Sequence, residues 1–168
     1  MGIFYYGGDF VNAKNWKTYG VWILLSLGVG GLSAMISRTG MAEFQQWVLQ
    51  PALSPPTWLF PVVWSILYIL MGVGAARIWL SPSSELRSMG IRLFLSQLGV
   101  NFLWSPIFFQ LQLYPLAFLW LLLLWGLVVW MISVFRKVDP LAGNLQLPYL
   151  LWLTFAAYLS AGVWYLNG

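Results

Sequence analysis

The chain has 168 residues, 61% of them hydrophobic and 7% charged, with 12 Trp, no Cys and no His. A water-soluble domain carries about a quarter charged residues, so this composition belongs in a lipid bilayer. Without thiols or imidazoles, zinc and iron–sulfur sites, His-ligated haem, Cys nucleophiles and His-based triads are excluded. The net charge of +4 comes from eight cations set against Asp9, Glu43, Glu85 and Asp139.

The few charges divide the chain. Residues 1–13 lack the basic start of a cleavable signal peptide, and the residue pattern after Met1-Gly2 does not support myristoylation. Lys14 and Lys17 precede a first apolar span, about 18–37, which Arg38 closes. The connection Arg38–Thr57 contains Trp47, Pro51, Pro55 and Pro56 and reads as a stiff, compact loop, a type of long connection that often acts as a functional lid. A second span, about 58–79, ends at Arg77 and the Ser81-Pro82 turn. After Arg87 and Arg92, a charge-free run extends from Leu93 to Phe135. One crossing takes roughly 20 residues, so this run holds two spans, about 91–113 and 115–135, broken at Leu113-Tyr114-Pro115. Arg136, Lys137, Asp139 and Pro140 end the fourth span, and a fifth covers about 146–166. The expected fold is an all-α integral membrane protein: a single five-transmembrane-helix domain over residues 1–168 with a Pro-rich first loop acting as a lid.

With five spans, Lys14, Lys17, Arg77, Arg87, Arg92, Arg136 and Lys137 share one side, and Arg38 and Glu43 lie on the other. The positive-inside rule then places the N-terminus in the cytoplasm and the C-terminus opposite, in a membrane that the sequence does not specify. The basic charge is a topology signal and implies no nucleic-acid partner, because it forms no basic stripe with interleaved aromatics.

Polar groups are costly in lipid, so their positions carry information. No carboxylate falls in mid-span, which argues against a proton-coupled transporter. On the third span Gln97, Asn101, Trp104 and Phe108 share one helical face. Asn101 alone reads as an interhelical hydrogen bond worth ~0.6 kcal/mol; a second amide one turn away on an aromatic face turns the reading towards a ligand cavity. Trp64, Tyr68, Met71 and Ala75 on the second span, and Tyr149, Trp152 and Ala156 on the fifth, offer matching faces for either packing or a cavity. Trp58, Trp79 and Trp164 read as interfacial anchors. Ser26, Gly30 and Ala34, with Gly72 and Ala76, permit close helix approach within the bundle or in a dimer. Pro106 should kink the third span near Asn101–Phe102 and free a carbonyl.

Three blocks in order, Pro51–Tyr68 (PALSPPTWLFPVVWSILY), Gln97–Phe109 (QLGVNFLWSPIFF) and Pro148–Leu159 (PYLLWLTFAAYL), resemble the tryptophan-rich sensory protein/translocator protein family (TspO/MBR, the peripheral benzodiazepine receptor family). The resemblance implies a five-helix bundle, commonly a homodimer, with a pocket under the first loop. Family members bind protoporphyrin IX, haem, sterols and benzodiazepine-site ligands, and have been assigned transport, sensing and porphyrin-degrading roles. By motif position it implies a ligand site of Trp64, Asn101, Trp104 and Trp152, with Gln97 and Tyr68 next; Phe108, Tyr149 and Ala156, on the same helical faces, complete the expected site, with no metal, no cofactor and no assigned catalytic residue.

The first loop departs from the family pattern, which often has Trp-Tyr ahead of Lys-Pro-x-Trp-x-Pro-Pro. Phe44-Gln45, Gln50 and Leu53 stand at those places, and Trp47 replaces the lost Trp only if the register shifts. Tyr165 is followed by no Lys or Arg, so the weak sterol pattern is absent and cholesterol is disfavoured. The leading expectation is a membrane receptor or carrier for a flat apolar ligand, above all a tetrapyrrole. The alternatives are a light-dependent porphyrin-degrading enzyme, disfavoured by the lost Trp, and a regulatory or structural membrane protein with a sterol- or drug-binding pocket.

Overall fold

The computed structural model describes residues 15–168; Lys14 and the expectations for residues 1–13 lie outside the described residues. The described residues form helices α1 (Trp16–Ile36), α2 (Arg38–Trp47), α3 (Leu59–Leu80), α4 (Glu85–Ser105), α5 (Tyr114–Val138), α6 (Pro140–Asn144) and α7 (Leu147–Asn167), with a π-helical turn, Pro106–Gln110, continuing α4. Among them, α1, α3, α5 and the stretch from α6 through α7 are long and apolar enough to cross a membrane. Helix α4 also has 21 residues, about 32 Å at the α-helical rise, but Glu85, Arg87 and Arg92 make its first turns polar.

Helix α1 packs on α3 and α4, α4 on α5, α5 on α7, and α7 returns to α3, which closes a ring. Glycine sets the closest of these approaches. A Cβ on Gly72 would lie 2.5 Å from the Ile23 Cα, so only glycine lets α3 reach the α1 backbone there. Phe94, Phe135, Met71, Ile78 and Leu121 fill the interior, while Val21, Leu24, Leu32 and Met35 turn outward from α1, as a helix facing hydrocarbon requires.

The two ends of the ring differ. At one, Arg77 Nε pairs with Asp139 Oδ2 at 2.8 Å, tying α3 to the α5–α6 corner. Arg87 lies over the Trp79 ring beside it, 5.2 Å from the centroid. At the other, the connection between α2 and α3 is strapped to α7. The Asn167 side-chain amide donates to the Leu49 carbonyl at 2.9 Å and accepts from its N–H at 3.0 Å, and Tyr158 Oη donates to the Ala52 carbonyl at 2.9 Å. Pro51 lies against Gly162, where a Cβ would collide with its ring. Leu53, at φ 66°, turns the chain.

Several local expectations need correction. The third long helix begins at Glu85 rather than near residue 91, because Ser84 Oγ caps it by accepting from the Arg87 N–H at 3.1 Å. Residues 38–47 of the expected first loop are helical. This short segment has no side-chain cap and is held by packing: Gly40 sits on the Phe109–Gln110 backbone and donates to Gln110 Oε1 at 3.2 Å. Residues 140–144, read as part of a loop, form α6, with Pro140 in the first turn and Asp139 Oδ1 accepting from the Leu141 and Ala142 N–H groups at 2.9 and 3.2 Å. The distortion expected near Asn101–Phe102 lies further on. Pro106 cannot donate to the Phe102 carbonyl, and the helix widens after it into i→i+5 bonding, Leu111 N–H to the Pro106 carbonyl at 2.9 Å. The freed Phe102 carbonyl accepts from Ser33 Oγ of α1 at 2.6 Å.

Candidate ligand-binding site

The site is built from a polar floor upward. Tyr68 Oη of α3 donates to Asn101 Oδ1 of α4 at 2.7 Å. Asn101 Nδ2 donates to Tyr149 Oη of α7 at 2.7 Å, Tyr149 Oη donates to Gln97 Oε1 at 2.9 Å, and Gln97 Nε2 points at Met71 Sδ at 3.8 Å. The donors run in one direction through three helices, so each amide and hydroxyl has a partner where an unpaired group would be costly. Tyr68 reaches Asn101 only because Gly30 of α1 leaves room for its ring; a Cβ there would overlap it.

Above this floor lies a cavity of about 390 Å³, within the range of roughly 300–1,000 Å³ usual for small-molecule sites. Trp64 stacks on Tyr68 with centroids 5.5 Å apart, and Trp104 stacks on Phe108 at 5.0 Å. Trp152 meets Phe60 edge-on at 5.8 Å. From α2, Phe44 packs against Phe108 and Phe109 at 5.4 and 5.2 Å and lines the cavity beside Met41 and Gln45. Gln50, Pro51 and Ser54 of the strapped connection cover it. The Trp104 indole N–H donates to the Ala117 carbonyl at 3.2 Å, which holds that ring to α5. None of the residues lining the cavity is charged.

Of the nine residues expected from sequence, Trp64, Tyr68, Asn101, Trp104, Phe108, Trp152 and Ala156 line this one cavity. Gln97 and Tyr149 do not. Both are 0% exposed and form the layer beneath, holding Asn101 in place. Helical spacing put them on the correct faces but gave no depth: one turn further from the mouth, neighbouring helices close over the face.

The sequence reading missed Phe60 and Ser160, each one helical turn beyond a residue it found, so extending the same stripes would have reached them. Met41 carried no such signal, and Phe44 and Gln45 were marked only by standing at the family's Trp-Tyr places, because the position of α2 depends on the π turn beneath it. Phe44 stands in the cavity wall, whereas Trp47 is 81% exposed and does not line it. The register shift that would bring Trp47 inward does not occur.

Known proteins share much of this sequence. Residues 22–166 match the model of the TspO/MBR family. Protein CrtK of Rhodobacter capsulatus is 44% identical over 119 residues, 70% of this chain and 74% of the relative. Tryptophan-rich protein TspO of Chlorobaculum tepidum is 35% identical over 159 residues, 92% of this chain and 98% of the relative. The human translocator protein is 36% identical over 117 residues, 68% of this chain and 69% of the relative. The chain belongs to the TspO/MBR family and is an integral, multi-pass membrane protein.

Proposed function

We propose that this member of the TspO/MBR family is a membrane receptor or carrier for a flat hydrophobic ligand, above all a tetrapyrrole, bound in the cavity over Asn101 with the 48–58 connection as its lid. The observation that carries the reading is an aromatic wall over a hydrogen-bonded floor. Trp64, Trp104 and Trp152 offer π faces to a planar ring, and Tyr68 and Asn101 offer polar atoms that fix its orientation. Met41 and Tyr68 are the lining residues with a sulfur or phenol oxygen for a metallated macrocycle.

In this reading the single domain crosses the bilayer five times. Helix α4 makes the fifth crossing, with Gln97 and Asn101 turned inward to Tyr149 and Tyr68. Lys17, Arg87, Arg92, Arg136 and Lys137 face the cytoplasm, and the lid faces the opposite side. A homodimer would use an outward apolar face.

The test is titration of the purified protein with protoporphyrin IX, as the acid and as its dimethyl ester, followed by Trp fluorescence. Saturable quenching that weakens in Asn101→Ala and Trp152→Ala is expected. Absence of saturable quenching by both compounds, or quenching indifferent to both variants, would sink the reading and leave a regulatory or structural role.

A second reading, light-dependent degradation of the bound porphyrin with dioxygen as the oxidant, draws on the stacked Trp64–Tyr68 pair in the cavity wall. Under illumination, that enzyme would bleach porphyrin absorbance in wild type and not in Trp64→Phe.

A further inference from the structure

We infer that the outer face of the 48–58 connection is a lipid-contact surface. The connection runs inside the leaflet along the seam between α3 and α7, and it separates the cavity from acyl chains rather than from water. The first observation is its pattern. Gln50, Ser54 and Thr57, the polar side chains of the segment, all line the cavity. The residues that do not line it, among them Leu49, Ala52, Leu53, Pro56 and Trp58, are all apolar. Leu53 is 80% exposed and Trp58 65% exposed. A cover that meets water carries the opposite pattern, with its polar groups outermost. No charged residue occurs between Glu43 and Arg77. The exposed side chains of Val62, Ile66 and Ile69 form one outward stripe on α3 that leads into Trp58, so the outer face of the connection continues a face turned to hydrocarbon.

The second observation is depth. Helix α7 has 21 residues, about 32 Å of helix, which matches the hydrocarbon thickness of a bilayer. The contacts of the connection step down this helix: Leu49 at Asn167, Pro51 at Gly162 and Ala52 at Tyr158. Phe60, in the first turn of α3, meets Trp152, which lies roughly 20 Å down α7 from Asn167 at the helical rise. Helix α3 therefore starts deep, and the connection fills the level above it. Irregular backbone at such a depth must find its hydrogen bonds within the protein. Asn167 serves both the N–H and the carbonyl of Leu49, and Tyr158 Oη serves the Ala52 carbonyl. Ser54 donates its hydroxyl and its N–H to the Pro51 carbonyl at 2.8 and 3.4 Å. Pro51, Pro55 and Pro56 have no N–H to satisfy. Trp47, 81% exposed, and Tyr165, 88% exposed, stand at the upper rim, where amphipathic rings sit at headgroup level.

The chain has no Cys, so a single introduced Cys carries a nitroxide label without background. Labels at Leu53→Cys and Trp58→Cys are compared in phosphatidylcholine liposomes with Ile66→Cys, on the outward face of α3, and with Arg38→Cys. All four positions are exposed, so none of the variants removes a core contact. Power saturation by oxygen, which concentrates in acyl chains, and by a water-soluble nickel chelate reads the surroundings of each label. At Leu53→Cys and Trp58→Cys the ratio of oxygen to nickel access is expected to match that at Ile66→Cys and to exceed that at Arg38→Cys severalfold. Nickel access at Leu53→Cys and Trp58→Cys equal to that at Arg38→Cys would overturn the inference and return the connection to water. No ligand enters the measurement, so its outcome is independent of the receptor reading.

Discussion

On the Arg77 side of Asn101, α1, α3, α4 and α5 close on one another until side chains such as Met71, Ala75, Phe94 and Phe135 have no exposure. On the side of the 48–58 connection, the same ring of helices stands apart around about 390 Å³ of space. Both halves are apolar and rich in aromatics, so hydrophobicity does not separate them. Backbone does. In the closed half Gly72 brings α3 onto the α1 backbone, and Ala75 and Ala76, about one turn on, have no exposure. In the open half Pro106 converts α4 into a π turn, and rings stack on one another, Trp64 on Tyr68 and Trp104 on Phe108, rather than filling the middle. The lesson is that in a bundle driven by packing rather than by water, small residues and broken backbone decide where a cavity opens.

If this division is correct, mutations in the two halves should separate stability from binding. The largest stability effect is expected from Gly72→Ala in the closed half, because its Cβ meets backbone that cannot yield. We expect a loss of about 1–3 kcal/mol, read as a lower unfolding midpoint in detergent, with porphyrin quenching per folded molecule unchanged. Asn101→Ala sits on the boundary and should affect both measurements. It removes the acceptor of Tyr68 and the donor to Tyr149, costing about 1 kcal/mol of stability and severalfold in affinity.

Asp139→Ala should destabilise by more than Arg77→Ala, since both break the ion pair but only the first also removes the cap of α6, worth about 1 kcal/mol. Neither should change ligand affinity. Trp152→Ala in the open half should do the reverse, lowering affinity by up to about tenfold through lost stacking with a small shift in midpoint. Trp47→Ala, at an 81% exposed position outside the cavity, should change neither. Loss of binding in Gly72→Ala or Trp47→Ala at full folding would break the division.

Much of this was legible in the chain. The charges and prolines mark where spans begin and end, since each ends a hydrophobic helix for a local reason: a missing N–H, a cap or a cation that needs water. The break before α5, at Tyr114-Pro115, is of that kind. The carbonyl freed by Pro106 was also foreseeable, because the i→i+4 bond is lost whatever surrounds the helix. Its partner was not, for Ser33 lies 69 residues away on another helix.

The cavity divides in the same way. Spacing put Asn101, Trp104 and Phe108 on one face, because helical phase is local. Depth and neighbours are not local. That Gln97 and Tyr149 lie below the floor, that Phe44 takes the wall while Trp47 stays outside, and that α2 forms at all each depend on how other helices approach. The sequence by itself determined the solvent, the helices and the faces that carry amides and aromatics. Tertiary structure alone decided which of those faces meet and which stay apart, because a helix's period orients a side chain about its own axis and says nothing of what stands across from it.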